Sequence, residues 1–96
     1  MAETFDDIEE AERRIREEKE RRTGRLDLSF LILTRQPASL SGLSTLTTLN
    51  LRKTKVSDLR PLSGLSALTT LNLWSTLVSD LRPLSGLSAL TTLNLW

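Results

Sequence analysis

The side chains best suited to contact another molecule are Arg52, Lys53, Lys55 and Trp74. Trp74 stands 22 residues after Arg52, and each follows the same Leu-Asn-Leu. Trp and Arg are over-represented among the residues that dominate protein interfaces. Trp74 therefore reads either as an exposed anchor for a protein partner or as a rung of a local ladder that covers Arg52 and Trp96. Arg52, Lys53 and Lys55 could meet phosphate groups, but no glycine-rich loop, helix N-terminus or continuing basic stripe accompanies them. A solvated strand edge that discourages mispairing is the simpler reading, and nucleic acid is not expected as a partner. Asn50, Asn72 and Asn94 form a polar row beside these residues and complete the candidate binding set.

Reaction chemistry finds little to work with. There is no Cys and no His, which removes thiolate and imidazole catalysis, thiolate metal sites and disulfides. After residue 22 the only acids are Asp27, Asp58 and Asp80. Asp58 and Asp80 precede a Leu-Arg-Pro-Leu turn and are expected to cap the short helix that follows. No base accompanies a nucleophile, so no cofactor or metal is expected and an enzyme is the remote reading. The absence of Cys suits a reducing compartment such as the cytoplasm. The acidic N-terminus has no apolar core of a signal peptide, and no apolar run reaches membrane-spanning length.

These residues have to be held by regular elements, and the chain announces which. Residues 57–74 and 79–96 are the same eighteen residues, SDLRPLSGLSALTTLNLW, and a looser copy spans 35–56. Self-similarity at a fixed period of this size marks a stacked repeat. Leu49 and Leu51 flank Asn50 as a short strand would, leucines inward and Asn50 outward. Strands are expected to centre on Leu26–Leu28, Leu49–Leu51, Leu71–Leu73 and Leu93–Leu95. Leu59, Leu62, Leu65 and Leu68 recur at every third position, closer to a 3₁₀ turn than to a strand. Pro61 and Pro83 fit the first turn of a short helix. Gly42, Gly64 and Gly86 share one equivalent position, where a tight bend or close backbone approach is expected.

Residues 1–22 hold nine acids and six bases, although the whole chain carries a net charge of only +1. A single helix over 4–22 is expected, with Thr4 as N-cap, Asp7 as its capping-box acid and Gly24 as the C′ residue. Glu9–Arg13, Glu10–Arg14, Glu12–Arg16, Glu17–Arg21 and Glu18–Arg22 have the spacing of favourable pairs. Such pairs contribute about 0.2–0.5 kcal/mol each and cannot dock a helix. Docking falls to the stripe Phe5, Ile8, Ala11 and Ile15, and the helix reads as a cap over the first repeat.

LTTLNLRKTKVSDLRPLSGLSA resembles the leucine-rich repeat, and its D-L-x-P-L-x-x-L half is similar to the 22-residue class of internalins. The resemblance covers 25–96 and implies an α/β solenoid, a right-handed arc of about four parallel strands with binding on its concave face. The position that usually carries the ladder Asn holds Thr54 and Thr76, which implies a looser ladder between repeats. A helix followed by Leu-Asp-Leu-Ser also resembles the entry into the repeats of bacterial Roco-type proteins, with no GTPase function implied. The divisions read 1–24 for the capping helix and 25–47, 48–69, 70–91 and a partial 92–96 for the repeats.

The array stops at Trp96 within an ordinary repeat, as an engineered or truncated array would. The expectation is a non-enzymatic scaffold that self-associates through an uncapped C-terminal repeat, as an end-to-end homodimer. The residues expected at that contact are Leu84, Leu87, Leu90, Leu93, Asn94, Leu95 and Trp96. The competing expectation is a protein-binding module on the concave face around Trp74, Arg52 and the Asn row.

Overall fold

The structure is a computed structural model and describes residues 7–95. One helix, α1 (Ile8–Arg21), precedes four strands, β1 (Arg25–Asp27), β2 (Thr48–Asn50), β3 (Thr70–Asn72) and β4 (Thr92–Asn94). The strands form one parallel sheet in chain order. Leu26, Leu49, Leu71 and Leu93 are in register along it. Between strands the chain passes through short 3₁₀ turns at Ala38–Gly42, Arg60–Leu62 and Arg82–Leu84.

The every-third-residue leucines behave as their spacing predicts. Leu62 N–H donates to the carbonyl of Leu59, Leu65 to Leu62 and Leu68 to Leu65, at 2.9–3.0 Å. The same chain of bonds recurs over Leu81, Leu84, Leu87 and Leu90. Each leucine thus satisfies the backbone of the turn while its side chain enters the core, where Leu59, Leu62, Leu65 and Leu68 are buried with Leu49, Leu51, Leu71 and Leu73. Fully burying such a side chain contributes about 1.5–3 kcal/mol.

The strands end earlier than expected, at Asp27, Asn50 and Asn72, because those side chains turn the chain. Asn50 Oδ1 accepts the N–H of Arg52 at 3.0 Å, Asn72 Oδ1 that of Trp74 at 2.9 Å, and Asp27 Oδ1 that of Ser29 at 2.9 Å. Three residues after each of these acceptors the backbone is left-handed, at Phe30, Lys53 and Ser75, with φ of 65°, 58° and 59°.

Side-chain bonding between repeats is carried by threonines other than Thr54 and Thr76. Those two donate back into their own repeat, to the Leu51 and Leu73 carbonyls at 2.8 Å. The cross-repeat ladder runs at the strand entries. Thr47 Oγ1 donates to the Gly24 carbonyl at 2.9 Å, Thr69 Oγ1 to Thr47 at 3.1 Å and Thr91 Oγ1 to Thr69 at 3.3 Å. Each accepting carbonyl also takes two backbone N–H groups from the next repeat, as Gly24 does from Thr47 and Thr48.

Gly24 is therefore the first rung of this ladder rather than the C′ residue of α1. Its φ is +83°, and a Cβ there would lie 3.0 Å from Thr47 Oγ1. Arg22, with φ of 52°, takes the left-handed position after α1 and donates its N–H to the Glu18 carbonyl. Glu18 is buried, and its carboxylate accepts the Gly24 N–H at 2.7 Å and the Thr23 hydroxyl. Gly42, Gly64 and Gly86 do not meet the expectation of a close approach. None has a positive φ, and a Cβ at any of them would face open space.

Ala11 and Ile15 are buried against the first repeat, with Ile8 packed at the margin. Thr4 and Phe5, expected as N-cap and stripe residue, lie outside the described residues. Asp7 sits at the N-cap position but makes no cap bond. Its carboxylate instead accepts the Ile32 N–H at 2.7 Å, and its own N–H donates to the Ile32 carbonyl at 2.9 Å. Of the expected helix pairs Glu10–Arg14 forms, at 2.8 Å, while Arg13 turns to Glu10 and Glu17.

Candidate functional site

The C-terminal ends of the strands bring together side chains from three successive repeats. The Arg52 guanidinium carbon lies 4.8 Å from the centre of the Trp74 ring and 5.3 Å from that of Phe30. Lys53 Nζ lies 5.3 Å from Trp74 and 5.7 Å from Phe30. Two cations thus sit between two aromatic rings, at distances where the ring quadrupole attracts them. Ser29, the first-repeat residue in register with Arg52 and Trp74, does not join them. Ser29 is held by Asp27, to which it gives both its N–H and its hydroxyl, and Phe30 supplies the ring beside Arg52.

Phe30 is 60% exposed and Trp74 37%. Ile32 and Leu77 are exposed further along the same loops, with Lys55 between them in repeat order. Asn50 and Asn72 are half-buried and spend their side-chain oxygens on turns. Their amide nitrogens have no protein partner among the described residues, so they add donors to the face rather than acceptors.

The charges on this face differ from those at the 3₁₀ turns of the same repeats. In the 3₁₀ turns each acid has a base: Asp58 pairs with Arg60 at 2.6 Å and Asp80 with Arg82 at 2.8 Å. Both aspartates also accept the backbone N–H of that arginine, the first residue of the turn, while the N-cap positions fall on Leu59 and Leu81. The Arg82 contacts hold the Asp80 carboxyl at about 2, below its ordinary 3.8, and the Arg60 contacts lower Asp58 in the same way. Arg52, Lys53 and Lys55 have no carboxylate partner among the described residues.

The residues expected at a C-terminal contact are divided by the structure. Leu84 and Leu87 are buried in the chain's own core and cannot offer a surface. Leu90 and Leu93 are half-buried, Asn94 and Leu95 are exposed, and Trp96 lies outside the described residues. One repeat of offset shows what remains open: Leu59 is 1% exposed and Leu81 37%, Leu73 is 1% exposed and Leu95 40%. An open groove of about 470 Å³ runs between Trp74, Val78, Leu81 and Leu95. Trp74 also borders a second groove, with Arg52, Asn72 and Leu95, so it belongs to both candidate surfaces.

One signal in the sequence was missed. Residues 46–67 and 68–89 differ only where Arg52, Lys53 and Lys55 become Trp74, Ser75 and Leu77. The exposed residues of the turns, Ser57, Asp58, Arg60, Ser63 and Ser66, recur unchanged as Ser79, Asp80, Arg82, Ser85 and Ser88. Exposure alone therefore does not account for where the repeats differ. Phe30 is in register with Lys53 and Ser75 in the sequence once the extra residue of the first repeat is counted; its contact with Arg52 is what that row does not show.

Among the described residues no group of acids could hold a metal ion, and no helix is long and apolar enough to cross a membrane. Residues 44–85 match the family model for leucine-rich repeats in two copies. The solved structure of internalin C2 from Listeria monocytogenes is similar, with 36% identity over 64% of this chain and a TM-score of 0.60. This chain spans 26% of that one, about a quarter of its length. No curated protein matches the chain.

Proposed function

We propose that this chain, a leucine-rich repeat protein of the internalin-like class, binds a protein partner on the face formed by Phe30, Arg52, Lys53, Lys55, Trp74 and Leu77. Repeats of this class are non-enzymatic protein-interaction scaffolds. The observation that carries the choice of face is the placement of the differences between repeats. In units that otherwise repeat letter for letter, the three substitutions fall together on exposed loops at one edge of the sheet. A partner can be told apart only by side chains that packing leaves free and that vary along the array.

Selection of peptides from a random display library against the folded chain tests this. Binders are expected to weaken about tenfold or more on Arg52→Gln and on Phe30→Ala, and to keep their affinity on Leu81→Glu, which borders the other groove alone. Binders indifferent to both face variants would overturn the reading. Trp74→Ala is unsuitable as the sole probe, because Trp74 borders both grooves.

A second reading has its own support. The groove beside Leu81 and Leu95, together with the free edge of β4, would accept a second copy of the chain and form a homodimer. The burial of Leu84 and Leu87 leaves this surface smaller than the sequence suggested. Sedimentation equilibrium across micromolar concentrations decides it. Association beyond 10.8 kDa that Leu95→Glu disperses and Arg52→Gln leaves intact supports the homodimer; a monomer throughout rejects it.

A further inference from the structure

We infer that the partner segment recognised by this face is acidic, presenting carboxylates to Arg52, Lys53 and Lys55 and apolar side chains to Phe30, Trp74 and Leu77. The inference rests on the proposed binding face and adds the chemistry of what occupies it.

The charge pairing of the molecule points this way. Within the second and third repeats, the cations of the turns have carboxylates, Arg60 on Asp58 and Arg82 on Asp80. Arg52, Lys53 and Lys55, the remaining cations of these two repeats, have none among the described residues. Asp27 is the acid in the strand row beside them, and its Oδ1 is already committed to Ser29. The third repeat, copied from the same pattern, has Trp74, Ser75 and Leu77 at these places. The cationic cluster is therefore particular to the second repeat and flanked by apolar groups on both sides: Phe30 and Ile32 from the first, Trp74 and Leu77 from the third.

The rings also prepare the cations. Arg52 and Lys53 lie against Phe30 and Trp74 at 4.8–5.7 Å, so part of the rotamer freedom that binding would remove is already restricted. A ring face attracts a cation but leaves its outward N–H groups free to donate. A guanidinium held this way can grip a carboxylate through two parallel hydrogen bonds. Carboxylates on a chain that also carries apolar residues would satisfy both halves of the face at once. A purely phosphate-bearing strand would leave Leu77 and Ile32 in water.

Fluorescence anisotropy with labelled synthetic peptides on the full chain tests this. The probes are a short Glu-rich peptide with interspersed Leu, its Gln-for-Glu and Lys-for-Glu counterparts, and single-stranded oligo-dT. The Glu peptide is expected to bind about tenfold or more tightly than the Gln peptide, to weaken as salt rises, and to lose that advantage on Arg52→Gln combined with Lys53→Gln. Equal binding of the Glu and Gln peptides, with both still weakened by Phe30→Ala, would overturn the acidic partner and leave the face standing. Binding unaffected by any face variant would overturn both. Tighter binding of oligo-dT, or no binding of the Glu peptide, would also overturn the inference. These are surface positions, and unchanged far-UV circular dichroism of the double variant separates lost binding from lost folding.

Discussion

The hydroxyl of Thr47 and the carbonyl of Gly24 meet at 2.9 Å, and this bond starts a ladder that climbs through every repeat. Its rungs lengthen from 2.9 to 3.1 to 3.3 Å as they pass from Thr47 to Thr69 to Thr91. Replacing each threonine by valine keeps the shape and removes the donor. Thr47→Val and Thr69→Val should each cost about 1 kcal/mol, and Thr91→Val, which is exposed, distinctly less. Urea denaturation of the three variants measures this, and an equal cost at all three would contradict the graded ladder.

Gly24→Ala should be among the most damaging small changes in the molecule. It combines a φ of +83° with a methyl group placed 3.0 Å from Thr47 Oγ1, and a loss of about 1–3 kcal/mol is expected. Gly64→Ala should be neutral or stabilising by up to about 1 kcal/mol, since its Cβ meets nothing and its φ is not positive. Thermal melts of the pair give opposite signs if the two glycines serve the different purposes described.

Gln36 is buried, and its Nε2 has no hydrogen-bond partner among the described residues. Gln36→Met removes that donor while keeping the side chain's length. It should raise stability by about 1 kcal/mol. A fall in the denaturation midpoint would mean that the amide is satisfied in solution.

The ion pairs of the turns and of α1 predict how the chain responds to acid. Asp80 and Glu10 are each held at about 2, against ordinary values of 3.8 and 4.5. Contacts from Arg82 hold Asp80, and contacts from Arg13, then Arg14, hold Glu10. A carboxylate depressed by folding contributes stability that is complete above its unfolded value and is lost as pH falls through its folded one. The melting temperature should therefore be level above about pH 5 and decline between about pH 4.5 and 2. Asp80→Asn should make that decline shallower and change stability little at pH 7, because exposed pairs are weak. A decline that is as steep in Asp80→Asn would remove this pair from the account.

Much of the fold was legible because repetition repeats its evidence. The leucine spacing of Leu59, Leu62, Leu65 and Leu68 predicted 3₁₀ turns, and the 22-residue period predicted the parallel register of Leu49, Leu71 and Leu93. What escaped was what side-chain oxygens do to backbone. That Asn50 ends a strand by bonding the Arg52 N–H, or that Thr47 reaches across to Gly24, depends on distances no periodicity encodes. Glu18 has the spacing of a partner for Arg22, whereas its burial gives it to Gly24. At the candidate site Arg52, Lys53 and Trp74 were legible as residues. Their sandwiching with Phe30 was not, since it follows from the left-handed turn that re-aims Phe30.

That left-handed turn sets stability against recognition. Phe30 and Lys53 occupy a backbone region that costs a residue with a Cβ about 1–2 kcal/mol and costs glycine almost nothing. Selection for stability alone would drift both positions toward Gly or Asn and erase a ring and a cation from the face. The two side chains that the turn makes most expensive to keep are the two that it aims at Arg52 and Trp74.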